Sequence, residues 1–210
     1  MYGESRRALK KAGKNRILIV EGMDRCGKGT FIKKYLRQLA TTKIVVMHCD
    51  APPSVVEDKD AWSKKRYYQL LLECKKLWNE GFDIVLDRSH IGEYVYGYLY
   101  RGTDPDWVLP LHDYSLCIEV ESDFYADRVT PNVETFIFVD SPENSFARDD
   151  GLGLAHNVEQ VAKEYERWLE TADKLKQIDN KVSVIDWSTE AEGFNETLDK
   201  LVLNLTKREF

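Results

Sequence analysis

The chain has 210 residues, 43% of them hydrophobic and 31% charged, with a formal net charge of −6. That length suits one sizeable core, or one core with a small lid, and the composition leaves no apolar run long enough to span a bilayer. An acidic balance argues against wholesale nucleic-acid binding, which depends on an excess of Lys and Arg to neutralise phosphates.

The first segment, residues 1–15, is a basic arm carrying Arg6, Arg7, Lys10, Lys11 and Lys14. No apolar stretch follows these charges, so the secretory pattern is missing and a cytoplasmic protein is expected. A solvated arm is the expected role, with anchoring to a polyanion as the rarer alternative. Residues 16–210 then read as one domain.

Ile17–Val20 is a short apolar run that ends at a glycine-rich turn. Phe31, Ile32, Tyr35, Leu36 and Leu39 recur at helical spacing after it. Lys43–Met47 reads as a second strand. A helix is expected from about Asp60, with Tyr67, Leu70, Leu71, Cys74, Leu77 and Trp78 on one face and Gly81 as its stop. Asp83–Leu86 is the third strand, and the stretch from Tyr100 to Thr130 holds a helix that the pattern does not place. Thr135–Val139 is the fourth strand; Asn157 and Gln160 form a capping pattern before a long helix. Val182–Ile185 is the fifth strand, and a last helix runs roughly from Glu190 to Leu205. Strands that alternate with helices and are apolar on consecutive residues predict an α/β fold, three layers deep, around a five-stranded parallel sheet.

The four cysteines Cys26, Cys49, Cys74 and Cys117 are widely spaced and form no C-x-x-C pair, so free thiols are expected. Cys26 lies in the glycine-rich turn, where main-chain N–H groups and a helix start would lower its pKa if the thiol were active there. The plainer reading makes it a space-filling residue. His48, His90, His112 and His156 show no metal-ligand spacing.

Gly22 and Gly27-Lys28 match the spacing G-x-x-x-x-G-K, between a strand and a helix. Glycines at these places let successive N–H groups converge on a phosphate, and the positive end of the following helix adds to the field. Gly22, Asp24, Arg25, Cys26, Gly27, Lys28, Gly29 and Thr30 are therefore candidate ATP-binding residues, with Lys28 serving the outer phosphates. Gly29 stands where a Ser or Thr is usual, and the hydroxyl follows at Thr30, which makes Thr30 a candidate Mg²⁺ ligand, directly or through water.

The Gly-Lys-Gly-Thr ending is similar to that of adenylate kinases. Glu-Gly-x-Asp-Arg-x-Gly-Lys resembles the loop of thymidylate kinases, P-loop nucleoside-monophosphate kinases in which the loop aspartate contacts the acceptor's 3′-hydroxyl. The resemblance gives that role to Asp24 and makes Arg25 a catalytic arginine of the loop. Asp87-Arg88-Ser89, after the third strand, resembles the Asp-Arg-Tyr or Asp-Arg-Ser step of the same families. It implies Asp87 for Mg²⁺-bound water or for the acceptor, and Arg88 for the acceptor phosphate. Trp62 and Arg66 match the aromatic-to-Arg spacing with which the family holds its base. Tyr94 and Tyr98, in the tyrosine-rich segment that follows, are further candidates to close over a base or sugar, and Glu93 to accept from a hydroxyl. That segment departs from ordinary thymidylate kinases.

Residues 141–157 occupy the place of the family's lid, with Arg148 as its arginine and an ATP-binding candidate. The resemblance implies ATP and Mg²⁺, a small-molecule nucleotide as acceptor, no membrane, and a homodimer by analogy. The expected reaction is phosphoryl transfer from ATP to a pyrimidine deoxynucleoside monophosphate, dTMP-like or a modified dUMP. Alternatives are a deoxynucleoside kinase using Asp87 or Glu21 as base, a kinase acting on a modified pyrimidine base such as 5-hydroxymethyluracil in DNA, and a regulatory nucleotide-binding module without turnover.

Overall fold

The computed structural model describes residues 15–39, 43–116, 132–148, 153–188 and 193–207. Cys117, nearly all of the basic arm, and residues 149–152 of the expected lid lie outside them. Five strands, β1 (Arg16–Gly22), β2 (Ile44–His48), β3 (Asp83–Asp87), β4 (Asn132–Val139) and β5 (Val182–Asp186), form one sheet in the order β2-β3-β1-β4-β5. All four pairings are parallel. The connections are α1 (Lys28–Gln38), α2 (Lys59–Asn79), a π-helix (Glu93–Arg101), α3 (Val108–Leu116), α4 (Pro142–Ala147) and α5 (Val158–Lys176), with α6 (Phe194–Lys207) after β5.

Every residue of β1 is buried, which a strand with helices on both faces requires. One layer pairs α1 with α6; the other joins α2, the π-helix and α5. Trp78 of α2 and Trp168 of α5 are fully buried, as are Ile19, Ile84, Leu86, Ile137 and Phe138 in the strands between the layers. Each such side chain contributes roughly 1.5–3 kcal/mol by leaving water.

The helix boundaries follow from capping chemistry. Asp58 caps α2, its carboxylate accepting from Ala61 N at 2.9 Å, and Gly81 with φ +87° follows the last turn. Asn157 caps α5 by accepting from Gln160 N at 2.9 Å. Gln160 answers by accepting from His156 N at 2.6 Å, one residue ahead of the partner in a reciprocal capping box. The last helix is described from Phe194, later than the Glu190 start its spacing suggests. The stretch after Tyr100 holds the end of the π-helix and then α3, while residues 117–131 lie outside the described set.

Chain direction positions the site. From β1 the chain leaves toward β2 on one side, whereas from β3 it crosses to β4 on the other. The crevice at the carboxyl ends of β1 and β3 is the switch point where open parallel sheets bind ligands. Val20 and Asp87 are register partners there, and Arg88 N donates to Val20 O at 3.1 Å.

Candidate active site

The turn after β1 is fixed by two glycines that no other residue could replace without movement. Gly22 has φ +125°, and a Cβ on it would stand 1.9 Å from the carbonyl oxygen of Phe138. Gly27 has φ +88°, and a Cβ there would stand 2.6 Å from the ring of Phe194. Met23 N donates to Phe138 O at 2.9 Å, and the indole of Trp187 donates to Cys26 O at 2.8 Å. Strand β4 and the segment after β5 thus hold the turn from both sides.

Helix α1 begins at Lys28, with Gly27 as an N-cap that offers no side chain and no acidic residue in the first turn. Its leading N–H groups and helix dipole are left for an anion. Lys28 Nζ donates to the carbonyls of Gly22 (2.7 Å) and Met23 (2.6 Å), and lies 3.9 Å from Asp24 Oδ1. Burial lowers its pKa, while Asp24 and Glu21 pull it back up.

Asp24, Arg25, Gly27, Lys28, Gly29, Thr30, Asp87, Arg88 and Arg148 line one open cleft of about 570 Å³, together with Lys33 and Phe194. Nearly all the residues that the sequence singles out for the donor side therefore meet. Arg25 (φ 60°) and Arg88 (φ 71°) are the only non-glycine residues with positive φ among the described residues. Each such backbone costs on the order of 1–3 kcal/mol, a strain that clusters at functional sites. Both residues are arginines, and both border this cleft.

Cys26 does not fit the role of an active thiol. It is 1% exposed, and burial pushes its pKa up to about 11, against the direction that a helix N-terminus would give. Its side chain packs behind the turn, and the main chain alone can face a phosphate. Arg148 pairs with the buried carboxylate of Asp140, just after β4, which anchors the start of the lid region. Ser141 caps α4 by accepting from Asn144 N at 3.2 Å, and Ser145 Oγ donates to Asp24 O at 3.3 Å.

A second cleft of about 220 Å³ adjoins the first. It shares Asp24 and Arg88 with the first cleft, and adds Glu21, Cys49, Tyr67, Glu93, Tyr96 and Arg101 to its walls. Arg88 Nη2 lies 3.0 Å from Asp24 Oδ1, so this ion pair stands at the junction of the two clefts. Glu21 is 2% exposed. Its Oε1 accepts from Ser89 N (2.5 Å), Ser89 Oγ (3.0 Å) and Gly92 N (3.2 Å). Burial raises its pKa, opposed by Lys28 and by the Ser89 bonds. Glu21 therefore acts as a strut between the turn and the residues after β3.

Not all of the expected acceptor residues come to this second cleft. Tyr94 and Tyr98 do not line the second cleft: both rings pack on the Arg167 guanidinium of α5, at 4.5 and 4.3 Å, and Tyr94 Oη accepts from Lys174 at 2.7 Å. The π-helix turns Glu93, Tyr96 and Arg101 toward the cleft instead. Trp62 and Arg66 are half-buried and also outside its walls, because the inward face of α2 is Ser63, Tyr67, Leu70 and Cys74. Arg66 stands close enough to Cys49 for its charge to hold down a thiol pKa that burial raises. Glu93 and Arg101 are the only charges in the segment EYVYGYLYR; Glu93 is among the expected candidates, and the same isolation of a charge among aromatic and aliphatic residues could have marked Arg101.

Thr30 and Asp87 bring a hydroxyl and a carboxylate to the same cleft as the loop. Hard oxygen donors beside a polyphosphate cradle fit Mg²⁺. Asp87 Oδ2 also lies 3.1 Å from His48 Nδ1, which orients the carboxylate.

No protein-family model matches the sequence, and no curated protein does. Solved structures do match. Thymidylate kinase from Candida albicans aligns with a TM-score of 0.60 at 17% identity, over 93% of this chain and 94% of that one. The YorR protein of Bacillus subtilis, solved in complex with phosphorylated GDP, aligns at 0.56 and 13% identity, over 90% and 95%. Thymidylate kinase from Ehrlichia chaffeensis gives 0.50 and 14%, over 92% and 98%. The chain thus has a thymidylate kinase-like P-loop fold, three-layered around a five-stranded parallel sheet. At such identities the likeness carries the fold, and any chemistry has to be argued from the site.

Proposed function

We propose that this chain is a phosphotransferase that moves the γ-phosphoryl group of ATP onto the phosphate of a nucleoside monophosphate, with a pyrimidine deoxynucleotide as the acceptor. One observation carries this reading: two left-handed arginines, Arg25 and Arg88, border the same cleft as Lys28, and Arg88 also borders a second, smaller cleft. Cations lining a donor site, one of them shared with an adjoining acceptor site, suit a reaction whose charge spreads over equatorial oxygens in the transition state.

The loop N–H groups and Lys28 would hold the β- and γ-phosphates, and Thr30 and Asp87 would hold Mg²⁺, which when bound supplies charge neutralisation between those phosphates. Arg25 would stabilise the transferring group. Arg88 would fork onto the acceptor phosphate while Asp24 meets the sugar hydroxyl, the role that the family resemblance gives it. Arg148, from the lid region, would approach the donor. A monophosphate acceptor is already largely ionised near neutrality, so no general base is needed. Glu21 supports that view, since three hydrogen bonds occupy one of its oxygens as a strut. Dimerisation belongs to the same proposal and rests on family analogy.

The test is ADP release from ATP with dTMP, modified dUMP derivatives, dCMP, deoxynucleosides and oligonucleotides offered in turn. A pyrimidine monophosphate should drive release. Release driven only by deoxynucleosides or oligonucleotides, or by none of the panel, overturns the reading.

A further inference from the structure

Part of the second cleft is shared with the phosphate loop, through Asp24 and Arg88. The remainder is bordered by the π-helix and is chemically different. There Arg101 Nη2 donates to Glu93 Oε2 at 2.5 Å, in an ion pair whose side chains are only 11% and 6% exposed. The pair lies across the helix at Gly97, where a Cβ would stand 3.0 Å from Glu93 Oε2 and 3.5 Å from Arg101 Nη2. The tyrosines Tyr67 and Tyr96 stand in the same wall.

A buried ion pair seldom repays its desolvation, so stability alone is a poor reason for one in a cleft wall. Arg101 Nε is moreover buried without a hydrogen-bond partner, an unmet donor in a side chain that borders the cleft. Two opposite charges make a neutral reader with an acceptor on one side and a donor on the other. Such a reader suits an uncharged polar edge better than a second phosphate. A nucleobase edge with a ring N–H beside a carbonyl has that pattern, and a cleft of about 220 Å³, below the ~300–1,000 Å³ usual for drug-sized ligands, suits a single ring.

We infer that the Glu93–Arg101 pair is the base-reading element of the acceptor cleft. Glu93 accepts the imide N–H of a thymine-type base, and Arg101 donates to the neighbouring carbonyl. The inference rests on the monophosphate-kinase reading above, and assigns base selection to the π-helix instead of to Trp62 and Arg66.

Calorimetric binding and ADP release are compared for dTMP and N3-methyl-dTMP. In the unaltered protein, methylation should weaken binding more than ~100-fold, because a site built to hydrogen-bond a group rejects analogues that lack it. In the double variant E93M/R101M, which removes both charges together, the ratio should fall to within a few-fold, with ATP affinity unchanged. Equal use of the two nucleotides by the unaltered protein overturns the inference, and needs no variant to fold. So does a folded double variant that keeps the full ratio. If no monophosphate drives ADP release, the phosphotransfer reading fails, while the binding ratio still decides the role of the pair.

Discussion

The two clefts are built by different means. The donor cleft is made by backbone: two glycines at positive φ, a helix N-terminus and a lysine curled onto loop carbonyls. The acceptor cleft is made largely by side chains, from the turn after β1, the segment after β2, α2, and the continuous stretch from Arg88 through the π-helix, with Leu154 added from beyond β4. A site made by backbone depends on a contiguous motif and tolerates little change. A site made by side chains can be re-aimed one residue at a time, so specificity is expected to differ between proteins that share the loop.

The sharpest way to break this contrast is at Lys28. Lys28→Ala should take ADP release to background, a loss of at least ~100–1,000-fold, since a preorganised donor at a developing charge is removed. Retained turnover would mean that the cleft does not hold the donor. Next, Arg25→Ala should lower kcat by roughly 1,000-fold or more, the usual worth of an arginine at a transferring phosphoryl group, while leaving ATP affinity within a few-fold. A variant whose ATP Kd rises as much as its kcat falls would make Arg25 a ground-state binder.

The layer behind the acceptor cleft gives a smaller effect, on stability. His90 is fully buried, its ring centroid 5.5 Å from that of His112, and neither of its nitrogens has a hydrogen-bond partner. Burial, and then the nearby His112, hold its pKa well below the ordinary value. The unfolded chain therefore binds a proton that the folded chain refuses. Stability should be full above the unfolded pKa of ~6.5 and fall below it, at up to ~1.4 kcal/mol per pH unit for this group. Urea titrations between pH 5 and pH 7 should record that slope, and His90→Phe should flatten it. The smallest effect is expected at Tyr98, which is 53% exposed and packs on Arg167. Tyr98→Ala should cost about 0.5–1 kcal/mol in a thermal melt and leave the acceptor KM within about two-fold. A large rise in KM would return Tyr98 to the acceptor site.

This contrast also explains what the residues revealed in advance. The strands were legible because a sheet covered on both faces needs uninterrupted apolar runs, and β1 and β3 have them. The loop was legible because its work is local: Gly22, Gly27 and Lys28 act within seven residues. The acceptor wall was not, because helical spacing says which residues share a face but not which face meets the ligand. Tyr94 and Tyr98 do share a face, and it meets Arg167. Trp62 and Arg66 share one too, one step round the helix from the Ser63–Tyr67 face that turns inward. The thiol of Cys26 was open to two readings because proximity to a helix start and burial act in opposite directions on a pKa, and only coordinates tell which is larger.

The ring of Phe194 fills the space where a side chain on residue 27 would be, and Trp187 grips the neighbouring carbonyl from 161 positions away. On the proposed reading, phosphate recognition would consequently be a late event in biosynthesis. A ribosome-bound precursor that has already displayed its entire glycine motif still lacks the bracing that gives the motif its shape. Competence to grip a triphosphate should emerge abruptly, once these two aromatic residues have cleared the exit tunnel.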